Sequence, residues 1–185
     1  MTMTVSDIAK VPTEGYDWYV FIMDDKWDDP FREELRRNIE ALGDEVGRDN
    51  LVVQGFDRKD FDSQVFHRYC LYLQEHQFDF FPLPSIVVSN IPPPEIEVDN
   101  EEIKNSVLLI FHLSDQYIRP GSISDFLGEL SRTLRNPKAE QVFMKPDKTS
   151  FQALWGWIDK YFEIKPEFLG IGVDVNQMLN DLFSK

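Results

Sequence analysis

Short runs of aromatic and β-branched residues alternate along this chain with longer segments whose apolar residues recur every three or four positions, and no hairpin signal joins successive strand-like runs. Alternation of this kind is the pattern of strand–helix–strand crossovers, so it directs the chain to an α/β sheet covered by helices. Residues 16–22 read as a buried strand leading to the acidic pair Asp24-Asp25. Pro30 then suits a first helical turn, and Phe31, Leu35, Ile39, Leu42 and Val46 form one apolar stripe. Residues 51–56 make a second strand, and 65–73 a helix with Phe66, Tyr69 and Leu73 on one side.

Pro84 introduces Ile86-Val87-Val88-Ser89, a compact apolar run suited to the middle of a parallel sheet, which stops at Asn90-Ile91-Pro92-Pro93-Pro94. The acidic stretch 95–104 has little apolar content, so the third crossover is degenerate. Residues 107–111 form a fourth strand ending in His112, and Ile123, Phe126, Leu127, Leu130 and Leu134 mark another amphipathic helix. A brief fifth strand over 141–144 runs into Lys145-Pro146, and Phe151, Leu154, Trp155, Ile158 and Phe162 trace a last full helix. The expected architecture is a three-layer, doubly wound, five-stranded parallel sheet over 16–163, preceded by an arm (1–15) and followed by an extension with a short helix (164–185). In such sheets the functional crevice lies beyond the carboxyl ends of the strands. Asp24, Asp25, Ser89, Asn90, His112 and Lys145 are therefore expected to converge there.

Charge narrows the partners. Asp and Glu number 33 against 19 Lys and Arg, a net charge of -14 that repels phosphate backbones and anionic lipid surfaces, so nucleic acid and membrane are not expected partners. The single Cys70 excludes an internal disulfide and fits a reduced, cytoplasmic setting. No segment approaches the roughly 18 consecutive apolar residues of a membrane span, and residues 1–14 lack the apolar core of a secretion signal.

An acidic pair after strand one, a site at the end of strand three and a Lys-Pro after strand five together resemble the layout of response-regulator receiver domains. The resemblance runs from about residue 16 to 162. Val20-Phe21-Ile22-Met23-Asp24-Asp25 looks like the strand that supplies that family's metal-binding carboxylates, and Val142-Phe143-Met144-Lys145-Pro146 looks like its closing segment. It implies the strand order 2-1-3-4-5. The aspartate that accepts a phosphoryl group is missing, because the position falls on Ser89 or Asn90 and neither carries a carboxylate. The hydroxyl expected at the end of strand four is replaced by His112, with Ser114 nearby, and the switch aromatic by Val142. The resemblance thus implies a pseudo-receiver: a phosphorylation-independent signalling or interaction module, without enzymatic activity.

Asp24 and Asp25 could hold a weakly bound Mg²⁺; the competing reading is a solvated or salt-bridged pair with Lys145 as counter-charge. No other cofactor is expected. Asp28 and Asp29 precede a helix start and suit its positive end. His112 reads as a hydrogen-bonded strand-end residue, since no nucleophile or carboxylate beside it in sequence completes a catalytic pair. Trp157 falls off the stripe of the last helix, and Phe168, Leu182 and Phe183 lie in the extension. These four are candidates to meet a protein partner or a second copy, unless the extension folds back over the sheet.

Two alternatives stand beside the pseudo-receiver. One is a Mg²⁺-dependent phosphoryl-transfer or hydrolytic enzyme using Asp24 and Asp25. The other is a redox-inactive thioredoxin-like domain. Trp27-Asp28-Asp29-Pro30-Phe31 has the shape of a Trp-Cys-Gly-Pro-Cys motif stripped of both cysteines, and Pro84 stands where that family carries its cis-proline. This reading makes the fourth strand antiparallel and leaves 141–162 as an appendage.

Overall fold

Every residue from Trp18 to Met23 is buried, which an extended strand achieves only when both faces of its sheet are covered. Alternation along this strand divides the core into two layers. Trp18, Val20 and Ile22 belong to one apolar cluster, and Tyr19, Phe21 and Met23 to the other.

The computed structural model describes residues 1–24, 30–74, 84–93, 107–113, 122–136 and 168–170. Their strands are β1 (Thr2–Val5), β2 (Trp18–Met23), β3 (Asn50–Gly55), β4 (Ser85–Ser89), β5 (Val107–His112) and β6 (Phe168–Gly170). The helices are α1 (Pro30–Glu45), α2 (Arg58–Gln74) and α3 (Ile123–Leu134), with one 3-10 turn at Ile8–Lys10. The six strands form one sheet in the order β1-β3-β2-β4-β5-β6. Strands β1 and β2 both run parallel to β3, whereas β4 is antiparallel to β2, β5 to β4, and β6 to β5.

The stripes of α1 and α3 bury as their spacing predicts, whereas of the side expected for α2 Tyr69 lies in the core and Phe66 is only partly buried against it. Leu35, Ile39, Leu42 and Val46 pack with Ile123, Phe126, Leu127, Leu130 and Leu134 on one face of the sheet, so α1 and α3 share a layer. Phe61, Val65 and Tyr69 of α2 join Ile8 and Val11 on the other face. Phe126 tilts against Phe111 of β5, their ring centroids 5.1 Å apart. Gly47, at a φ of 92°, ends α1 in the left-handed conformation that other residues resist.

Three features differ from the sequence-based expectation. The sheet is mixed rather than parallel, and although β3-β2-β4-β5 keep the neighbour order expected of the first four strands, β1 and β6 flank them, so the whole order is not 2-1-3-4-5. For β5 against β4 the reason lies in the degenerate crossover: adjacent parallel strands need a long connection, usually a helix, to carry the chain back. Residues 90–106 offer no amphipathic stripe for one, and β5 pairs antiparallel with β4. Second, the arm contains an edge strand: Thr2 to Val5 pair with Val52 to Gly55. Third, the extension contributes β6, which lies along β5 with Phe168 opposite Leu109. The fifth strand expected over 141–144 and the helix over 151–162 lie outside the described residues, as does the short helix expected within 164–185.

Candidate functional site

The register fixes which residues share an end of the sheet. Ile22 of β2 stands opposite Gln54 of β3, and Met23 stands opposite Ser85 of β4. Ser85 in turn stands opposite His112 of β5. Asp24, Phe56, Pro84 and His112 therefore gather at one end, which also receives the connection into α1.

Asp24 is buried there, at 4% exposure. Its Oδ2 lies 3.5 Å from Nε of Arg36, in the second turn of α1, so the carboxylate that ends β2 is tied to the helix that follows it. Arg36 sits beside the apolar stripe member Leu35 and is itself mostly covered, which brings the two charges together away from bulk water. The backbone N–H of Leu113 donates to the carbonyl of Pro84 at 2.8 Å, holding the exit of β5 against the entry of β4. Phe56 stands out at the same end with 82% exposure, just after β3 and followed by the exposed Asp57.

Ser89 and Asn90 do not join this group. Because β4 is antiparallel to β2, Ser89 pairs with Tyr19 near the start of β2. Five residue steps of extended chain, about 17 Å, separate that position from Asp24. The expected convergence of these two residues with Asp24 is corrected accordingly; it presumed a parallel central strand. Both instead serve the turn that leaves β4. Ser89 Oγ donates to the carbonyl of Ile91 at 3.1 Å and accepts from the Ile91 N–H at 3.0 Å. Asn90 Oδ1 accepts from the N–H of Val107 at 2.8 Å and so anchors the start of β5. Tyr69 Oη donates to the same Ile91 carbonyl at 3.0 Å, and burial pushes its phenol well above the usual pKa of 10.0.

Of the remaining sequence candidates, Asp25, Lys145, Trp157, Leu182 and Phe183 lie outside the described residues. The backbones of His112 and Phe168 are placed in β5 and β6. Among the described residues Arg36 supplies a counter-charge to Asp24. Among the described residues no group of three His, Cys, Asp or Glu side chains could hold a metal ion, and no described helix is long and apolar enough to cross a membrane.

Sequence reasoning missed Phe56 and Arg36. Phe56 ends an apolar run and is followed by Asp57-Arg58-Lys59-Asp60, so its position at a strand mouth was a readable signal. Arg36 gave none, because its partner lies on a different element.

A concavity occupies the opposite end of the sheet. It is a half-open cleft of about 610 Å³ lined by residues that include Asp17, Asp49, Asn50, Asn90 and Arg135. Asn50 forms a buried link there between two helix ends: its Nδ2 donates to the carbonyl of Val46 at 2.5 Å and to that of Leu134 at 3.3 Å. No known protein family matches this chain, and neither the curated proteins nor the solved structures yield a match.

Proposed function

We propose that this chain is a redox-inactive, thioredoxin-like binding module that receives a partner's segment at the sheet end bearing Asp24, Phe56, Pro84 and His112. The observation that carries this reading is β4. It starts immediately after Pro84 and runs antiparallel to β2, which sets Pro84 beside the end of β2, the strand that Trp27-Asp28-Asp29-Pro30-Phe31 follows in sequence. The order β1-β3-β2-β4-β5, with α1 and α3 on one face and α2 on the other, supports the same reading. The functional step rests on likeness of fold and therefore on its test.

Asp28 and Phe31 stand where such a motif would carry thiols, and Cys70 is the chain's single cysteine, so disulfide exchange has no intramolecular pair to work with. What remains is a surface. Phe56 offers an exposed aromatic anchor beside a closely packed strand entry, the combination that peptide-binding sites use for affinity. A receiver-like signalling role keeps the Asp24-Asp25 motif and the neighbour order of the central strands in its favour, but not the direction of β4. The single cysteine continues to favour a reducing compartment.

Restoring the thiols tests the reading. The double variant Asp28→Cys, Phe31→Cys is expected to form a reversible intramolecular disulfide, detected by thiol titration before and after reduction. In the parent chain, a library of extended peptides is expected to shift backbone NMR signals around Asp24, Phe56, Ser85 and Leu113, and Phe56→Asp to abolish the shifts. Failure of the disulfide to close would remove the fold analogy, and peptide shifts confined to another surface would remove the site.

A further inference from the structure

Strand β1 closes one side of the sheet, and among the described residues no strand pairs with its outer edge. The carbonyls of Met1 and Val5 accept from the N–H groups of Val52 and Phe56 at 2.9 and 2.7 Å, in a parallel register that sets Thr2 opposite Val52 and Thr4 opposite Gln54. Evenly spaced parallel bonding therefore turns the peptide groups of Met1, Met3 and Val5 toward β3, and those of Thr2 and Thr4 outward. Outward N–H and C=O groups are a template for a further strand, and sheets protect such an edge with charges, proline, a bulge or a cover. Thr2 to Val5 contain neither charge nor proline, and the register runs through them without a bulge.

Two further observations point to what pairs here. Among the described residues the exposed large apolar side chains are Met1 and Phe56, at 55% and 82%, and they stand at the two ends of this edge. Met1 leads into β1, and the Phe56 N–H is bonded to Val5 at its close. The second observation is symmetry: Thr2-Met3-Thr4 reads the same in both directions. A twofold axis at Met3 sets Thr2 opposite Thr4 of another copy, and Met3 opposite its own counterpart. Each such threonine pair exchanges both of its N–H···O=C bonds, so the outward groups of both threonines are satisfied. Threonine opposite threonine is a favourable cross-strand pair, and no like charges are opposed within the ladder.

We propose that β1 pairs antiparallel with β1 of a second copy of this chain, about a twofold axis at Met3, joining the two sheets into one. The start of each strand, with Met1, comes to the end of the other, beside which Phe56 stands, so both exposed apolar side chains lie along the joint. Charge opposes the pairing outside the ladder. Each copy carries -14, and α1 lies so close over β1 that a Cβ on Gly43 would overlap Thr2, which brings the exposed Glu40 and Asp44 of that helix toward the joint. Association therefore strengthens with salt. It does not rest on the peptide-binding reading, because Thr2 and Thr4 lie outside that site.

Sedimentation of the full chain from micromolar to millimolar concentration is expected to show a monomer–dimer equilibrium, tighter at about 0.5 M salt than at about 0.05 M, where charges are less screened. Thr4→Pro removes an outward N–H and no bond to β3, a position at which an edge strand tolerates proline. It is expected to weaken the dimer at least about tenfold, as loss of one hydrogen bond on each side of the twofold implies. Circular dichroism verifies that the variant keeps the fold. Amide hydrogen exchange in the parent chain gives a readout that needs no variant: the N–H groups of Thr2 and Thr4 are expected to be protected at high concentration and to exchange freely on dilution. A chain that stays monomeric overturns the proposal and leaves the edge to another segment of the same chain or to a foreign strand. A dimer that Thr4→Pro leaves intact, or one whose Thr2 and Thr4 amides stay unprotected, overturns it as well. Absence of peptide binding at Phe56 with this dimer intact would remove the peptide site alone.

Discussion

Tyr69 is a buried phenol whose hydroxyl reaches the turn after β4, and it sits where the second apolar layer closes over Phe21, with ring centroids 5.3 Å apart. Burial raises its pKa well above 10.0, because the phenolate would lose its hydration. The sign of the resulting pH dependence follows. In the unfolded chain this tyrosine ionises near its ordinary value, whereas in the fold it keeps its proton, so the stabilisation is fully present below about pH 10 and is lost as pH rises from there toward the folded value. Denaturant titrations between pH 8 and 11 are expected to show stability falling above about pH 10. Tyr69→Phe should flatten that fall while lowering stability at neutral pH by about 1 kcal/mol through loss of the bond to Ile91. Ser89 and Asn90 belong to the same turn, and their hydrogen bonds account for both residue types without any phosphoryl chemistry. Their side chains were visible in the sequence as polar punctuation after an apolar strand. Which end of the sheet they occupy was not, because that depends on the direction of β4 relative to β2.

Among the elements, α1 and α3 were the most legible. Both stripes, Leu35 to Val46 and Ile123 to Leu134, are buried as their spacing of three and four requires. Their mutual placement came from elsewhere. Asn50, the first residue of β3, donates to the last turns of both helices and so clamps two elements that lie far apart in sequence. Asn50→Ala leaves two buried carbonyls without a donor and is expected to cost about 1–3 kcal/mol, read as a lower urea midpoint with an unchanged m-value. Asn50→Asp should cost more, since a carboxylate would face two carbonyl oxygens. The helix α2 was shorter in the sequence-based reading than in the structure, which begins it at Arg58. Its charged first turn masks the periodicity there, and Phe61, which packs against Gly55 so closely that a Cβ on the glycine would overlap its ring, marks the true inward face.

For the molecule as a whole, the edges of the sheet are the consequential feature. Strand β5 would be an open edge without β6, and an uncovered row of backbone donors and acceptors invites pairing with another chain. Removing residues 164–185 is therefore expected to increase concentration-dependent self-association, measured by sedimentation, with the remaining strands retained. Little change in association on truncation would mean that β6 does not protect that edge.

The amino-acid sequence by itself determined that strands and helices alternate, where α1 and α3 run, and which of their side chains face the core. Local periodicity and residue chemistry carry that information, because burial on one helix face or on both faces of a strand is written in neighbouring residues. Only the tertiary structure decided that β4 runs against both β2 and β5, that Asp24 meets Arg36, and that Ser89 and Asn90 lie away from Asp24. A strand has the same apolar pattern whichever way it points, and its direction is set by the connections and layers around it. The degenerate stretch after β4 was the one local hint that the parallel pattern ends there.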